Sequence, residues 1–89
     1  MLTLPAVVTH AQALETARGL MAQVAAQTSG VVLDASALTQ FDSSALSVML
    51  ACRREAMAGG KSFAVQGLPA KLGQLAGLYG VAELIPAAA

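Results

Sequence analysis

Charge and aromatic rings are scarce in this chain: charged residues make up 11% of its 89 positions and aromatic residues 3%. Five basic and five acidic residues cancel. With no basic stripe to neutralise phosphates, nucleic-acid binding finds no support. The single cysteine, Cys52, cannot close an intramolecular disulfide, which fits a reducing, cytoplasmic setting. Long apolar runs are missing too. Gln23, Gln27, Asp34, Asp42 and the serines interrupt every stretch that approaches the roughly 18 apolar residues of a membrane span. The N-terminus has no charged segment leading into an apolar core, so it does not read as a secretory signal.

What is present is aliphatic. Hydrophobic residues reach 56%, mostly Ala, Leu and Val. The length predicts one small domain over residues 1–89, burying about 60–65% of its unfolded surface. A surface so thin in charge favours an apolar interaction patch. A permanent partner and a homodimer both stay open on this ground.

Hydrophobic spacing gives an order of elements. Met1–Pro5 reads as a short strand, with Val7 and Val8 continuing beyond the proline, which restricts it to an edge or ends it early. Thr9-His10-Ala11-Gln12 has the spacing of a capping box. Leu14, Ala17, Met21 and Val24 then mark one face of a helix, closed by Thr28-Ser29-Gly30. Val31–Asp34 reads as a strand buried on both faces. A second helix runs from Ser43 or Ser44 to Ala58, with Leu46, Met49, Leu50 and Met57 as its stripe and Gly59-Gly60 as its stop. Lys61–Gln66 is another strand. Pro69 opens a third helix, with Leu72, Leu75, Ala76 and Tyr79 inward, and Val81–Ile85 forms a last strand or an extended tail. Strand, helix, strand within about 35 residues is a right-handed βαβ unit. Its parallel strands bring the Asp42-Ser43 loop and the Gly67-Leu68 loop to one sheet edge, where open α/β sheets favour ligands and partners.

Candidate chemistry is thin. Gly59-Gly60-Lys61-Ser62 lacks the first glycine of a nucleotide loop and ends a helix where such a loop must open one; a helix stop with a solvated lysine explains it better. His10 and Cys52 are isolated, too few for zinc or a cysteine nucleophile. Asp34 and Asp42 lie on separate elements and form no acid–base pair. The reading is a non-enzyme without catalytic residues, metal or other cofactor.

One segment stands out. Phe41-Asp42-Ser43-Ser44-Ala45-Leu46 follows a strand and opens an apolar helix, setting a carboxylate and two hydroxyls at a helix N-terminus, where free N–H groups favour acceptors. Plain capping by Asp42 or Ser43 is the ordinary explanation. The segment also resembles the signature of the STAS family, the sulfate-transporter and anti-sigma-factor-antagonist domains. That resemblance implies a small α/β fold, with an about four-stranded mixed sheet, a parallel βαβ core and three helices. It also implies a protein-binding regulator.

Two branches of the family are in play. In anti-sigma antagonists the serine after the aspartate, here Ser43, is phosphorylated by a partner kinase. In the Mla-type phospholipid ABC transporters a small STAS subunit sits on the cytoplasmic ATPase. Val65–Leu72 followed by Leu75–Val81 is similar to the strand-turn-helix of the transporter subunit, which makes that branch the leading expectation. The resemblance then implies a partner face of Gln40, Asp42, Ser43, Ser44 and Ser47, with Gly67 and Leu68 beside it. It implies an ABC ATPase as partner, or a serine kinase and anti-sigma factor in the alternative. The location is the cytoplasm, at the inner membrane through the partner. Two departures are visible: there is room for one short N-terminal strand where relatives start with a hairpin, and Ala45 stands where a glycine is usual, which alters close backbone approach.

Overall fold

In chain order, the computed structural model describes residues 1–88 as β1 (Leu2–Thr3), β2 (Val7–Val8), α1 (Ala13–Ala26), β3 (Val31–Asp34), β4 (Gln40–Phe41), α2 (Ser44–Ala58), β5 (Phe63–Gln66), α3 (Ala70–Leu78) and a 3-10 turn over Ala82–Leu84. Ala89, included in the single-domain expectation, lies outside the described residues. The α/β class and the three helices are as the sequence predicts.

The βαβ unit is present: β3 and β5 pair in parallel, Val31 with Phe63 through Asp34 with Gln66. β1 adds to the other side of β3, also in parallel, giving the order β1-β3-β5. Strand alternation separates the faces. Val31 and Leu33 are buried, as are Phe63 and Val65, while Val32, Asp34, Ala64 and Gln66 are half-buried. The expectation of a β3 buried on both faces is therefore corrected to one buried face.

The sheet is also smaller than four strands, and every described pairing is parallel, not mixed. Proline accounts for part of this. The Leu4 N–H still donates to the Asp34 carbonyl at 2.9 Å, but Pro5 has no donor to offer. Pairing resumes beyond it, where the Ala6 carbonyl accepts the N–H groups of Thr39 and Gln40 at 2.8 and 3.0 Å. β2 and β4 thus form a separate two-stranded ladder. The N-terminus holds two short strands without a hairpin. At the other end the strand expected at Val81–Ile85 is a 3-10 turn, and pairing arrives later. The Val65 N–H donates to Pro86, and the Ala88 N–H donates back to Val65, both at 2.9 Å.

α1 and α2 pack side by side, as expected of successive right-handed crossovers that step the same way across a sheet. Their buried faces differ from the predicted stripes. Leu20 and Val24 carry α1, and Ala45, Leu46, Val48, Met49, Cys52 and Ala56 carry α2. Leu14 is 62% exposed, and Met57 and Tyr79 are exposed as well. Between the two helices lie Ala13, Ala17 and Met21 of α1 and Ser47, Val48 and Ala51 of α2, mostly small side chains. Lys61 is not a solvated lysine. Half-buried, it donates to the carbonyls of Val24 and Ala25 at 2.7 and 3.4 Å. It puts positive charge on the negative end of α1, whose last turn has no basic residue of its own.

Gly67 follows β5 with φ of 69°, and a Cβ there would stand 2.8 Å from the Ser36 Cβ and 3.0 Å from its backbone. Both the left-handed backbone and the close approach demand glycine. Gly60, at φ of 71°, faces open space. Gly67→Ala is expected to destabilise by about 1–3 kcal/mol and Gly60→Ala by less, as measured by urea unfolding of both variants.

Candidate functional site

At the start of α2, Asp42 takes the capping role and Ser43 does not. Asp42 Oδ1 accepts the Ser44 N–H at 2.8 Å, and the Asp42 carbonyl accepts the Ala45 N–H at 3.1 Å. The Ser43 carbonyl accepts the N–H of Leu46 at 3.1 Å and of Ser47 at 3.4 Å, but its hydroxyl caps nothing and its side chain is exposed. Ser47, one turn on, is exposed too. Ser44 is half-buried, and its N–H donates to Asp42. Ala45 is buried in the core. Its methyl therefore faces inward.

The second Asp42 oxygen reaches across the fold. Oδ2 accepts the backbone N–H of His10 at 3.0 Å, joining groups 32 residues apart in sequence. His10, Ala13, Leu14 and Ala17 of the α1 region and Ser47 and Val48 of α2 line an open, mainly apolar cleft of about 510 Å³. His10 is exposed, and Leu14, expected on the inward face of the first helix, is exposed as well. The Thr9–Gln12 bonds close a turn ahead of α1, which starts only at Ala13, so Leu14 falls in the first turn of the helix and outside its buried face.

The remaining candidates divide. Gln40 belongs to β4, paired opposite Val7, and is not a free connector residue, although its side chain is exposed. Gly67 abuts Ser36, and the Ala35 N–H donates to the Gln66 carbonyl at 2.8 Å. The Gly67 loop is thus tied to the loop that follows β3. Leu68 is half-buried against the core. Farther along this edge Phe41 shares a cleft of about 360 Å³ with Lys71, Gln74, Leu75 and the exposed Leu78 of α3.

The electrostatics are those of turn and cap chemistry. Asp42 is held below the usual carboxylate range by the N–H groups of Ser44 and His10. Asp34 is held below it by the hydroxyl and then the N–H of Ser36, which reach its Oδ1 at 2.6 and 3.0 Å. A carboxylate whose folded pKa is depressed stabilises above its unfolded pKa, and that contribution is lost as pH falls through the folded one. Cys52 is fully buried, and burial pushes its thiol up to about 11, which keeps it a thiol and a poor nucleophile at neutral pH. Among the described residues no three His, Cys, Asp or Glu side chains gather as a metal site, and no helix is long and apolar enough to cross a membrane. What the edge offers is an exposed hydroxyl pair on a fixed helix start, beside apolar clefts.

The family model described as "Mlab, STAS domain" matches residues 1–86. The chain belongs to the STAS family. A comparison with curated proteins gave no match. STAS domains are generally non-catalytic interaction modules, in keeping with a site built from caps and exposed hydroxyls. In this STAS domain the signature Asp-Ser-Ser splits its roles: Asp42 holds the fold and Ser43 stands free of it.

Two consequences are measurable. Ser43→Ala should change unfolding stability by less than the about 1 kcal/mol of a lost cap, read by thermal or urea unfolding. The thermal midpoint should fall as pH drops from about 5 towards 2, and fall less steeply in the Asp34→Asn, Asp42→Asn double variant.

Proposed function

We propose that this STAS domain is a non-catalytic accessory subunit that docks on the cytoplasmic ATPase of an Mla-like phospholipid-transport ABC system and supports its assembly. The observation that carries the reading is the free, exposed Ser43 hydroxyl on a helix start already capped by Asp42. A partner can engage this hydroxyl without competing with the fold for it. The word "Mlab" in the description of the matching family and the similarity of Val65–Val81 to the transporter subunit both favour this branch.

In this reading Ser43 and Ser47 are contact residues, and Gln40, Ser44, Gly67 and Leu68 frame them. The domain reaches the inner membrane through its partner. Interfaces of this kind concentrate their energy in a few central residues. A long cation at Ser43 would hold the two surfaces apart while projecting into solvent in the free domain.

Affinity purification of the tagged protein from its own host, with mass spectrometry of what accompanies it, is expected to recover an ABC ATPase with its permease. Ser43→Arg is expected to lower binding to that ATPase at least about tenfold, which is the worth of about 1.4 kcal/mol, with an unchanged melting curve. Retained binding by folded Ser43→Arg protein overturns the site. Recovery of a serine kinase with phosphate on Ser43 instead would establish the antagonist reading.

A further inference from the structure

The β2–β4 ladder runs Val7 opposite Gln40 and Val8 opposite Phe41, with the Gln40 N–H on the Ala6 carbonyl at 3.0 Å. In a parallel ladder each bonded residue reaches the neighbours of its opposite number. Continued in this register, the next rung would take the His10 N–H to the Asp42 carbonyl. That carbonyl has turned away and accepts the Ala45 N–H of α2 at 3.1 Å. The Asp42 carboxylate stands in for it, with Oδ2 on the His10 N–H at 3.0 Å and Oδ1 on the Ser44 N–H at 2.8 Å.

The turn seized in this way is itself closed. Gln12 Oε1 accepts the Thr9 N–H at 3.0 Å and the Thr9 hydroxyl at 2.6 Å, and the Gln12 N–H returns to the Thr9 carbonyl at 3.1 Å. The Gln12 carbonyl then accepts the Thr16 N–H of α1 at 3.0 Å. Holding His10 therefore holds the whole first turn ahead of α1.

We propose that Asp42 is a positioning residue, a latch that replaces the last rung of the β2–β4 ladder. It locks the start of α1 to the start of α2, so that His10 and Leu14 join Ser43 and Ser47 in one rigid face. With both oxygens engaged inside the fold, Asp42 acts on a partner through the placement of those neighbours. The inference extends the docking face of the proposed function to α1 and rests on that reading for its partner, although the latch itself can be measured in the free domain.

Asp42→Asn separates the two bonds. Asparagine is a good helix cap, but its amide nitrogen accepts no hydrogen bond, so the cap on Ser44 is kept and the tether to His10 is lost. By NMR the His10 amide is expected to exchange with water about tenfold faster, the scale of a lost hydrogen bond to a charged group, while the Ser44 amide keeps its protection. In the unsubstituted protein both amide protons are expected to shift together on one carboxylate titration, absent from Asp42→Asn. The His10 imidazole also bears on Asp42, and a His10→Gln background removes that charge from the experiment. Unchanged His10 exchange in Asp42→Asn, or a His10 amide that ignores the carboxylate, overturns the latch. Affinity for the ATPase should fall in Asp42→Asn and in Leu14→Glu; a released tether with affinity intact in both overturns the extended face. Failure of the unsubstituted domain to bind the ATPase counts against the proposed function and leaves the NMR result standing.

Discussion

A parallel ladder cannot be closed by a hairpin, and the pairing of Val31–Asp34 with Phe63–Gln66 imposes that condition on the whole chain. Each return needs a crossover, so α1 and α2 are obligatory connections as well as a cover for the sheet. Helices take the largest share of a short chain, and the strands shrink to two to four residues. The same pairing sends the ends of β3 and β5 toward one edge. The Gly67 loop lies against Ser36 there, close enough that a side chain at Gly67 would not fit. The site edge is thus a direct product of strand direction.

The sequence made the centre of the fold legible and its periphery less so. Val31–Asp34, the helix from Ser44 to Ala58 and the strand ending at Gln66 were readable because β-branched runs, serines at a helix start and paired glycines each have a local physical cause. The helix faces were harder. In an alanine-rich helix many positions are apolar, and a stripe through Leu14, Ala17, Met21 and Val24 looks as good as one through Leu20 and Val24. Which stripe is buried depends on the neighbouring helix, and composition does not report that. Pro5 signalled a break in the N-terminal strand but not that pairing would resume beyond it at Ala6. The late bridge at Ala87 depends on the 3-10 turn before it, for which sequence offers only weak signals.

The site was legible in the same uneven way. Asp-Ser-Ser marked a helix start, and α2 begins there. The division of labour within the motif was not readable, because Asp and Ser are both good caps and the choice depends on a third group. That group is the His10 N–H, contributed by a part of the chain 32 residues away in sequence. Once a carboxylate can satisfy two N–H donors at once, it outcompetes a hydroxyl for the capping position, since charge-assisted bonds are about twice as strong as neutral ones.

This division has a consequence for how such a surface can change. A residue that both caps a helix and contacts a partner is constrained twice, and altering its chemistry for one purpose harms the other. Here Asp42 carries the structural duty and no polar or charged residue among those described is buried, so the fold asks nothing of the Ser43 hydroxyl. Ser43 can differ in size, polarity or modification at little cost to the fold. Gly67 is the opposite case on the same edge: its backbone geometry and its contact with Ser36 fix it as glycine, whatever a partner would prefer. On an edge built in this way the exposed serines are free to change without loss of the fold, and the positions that hold them in place are not.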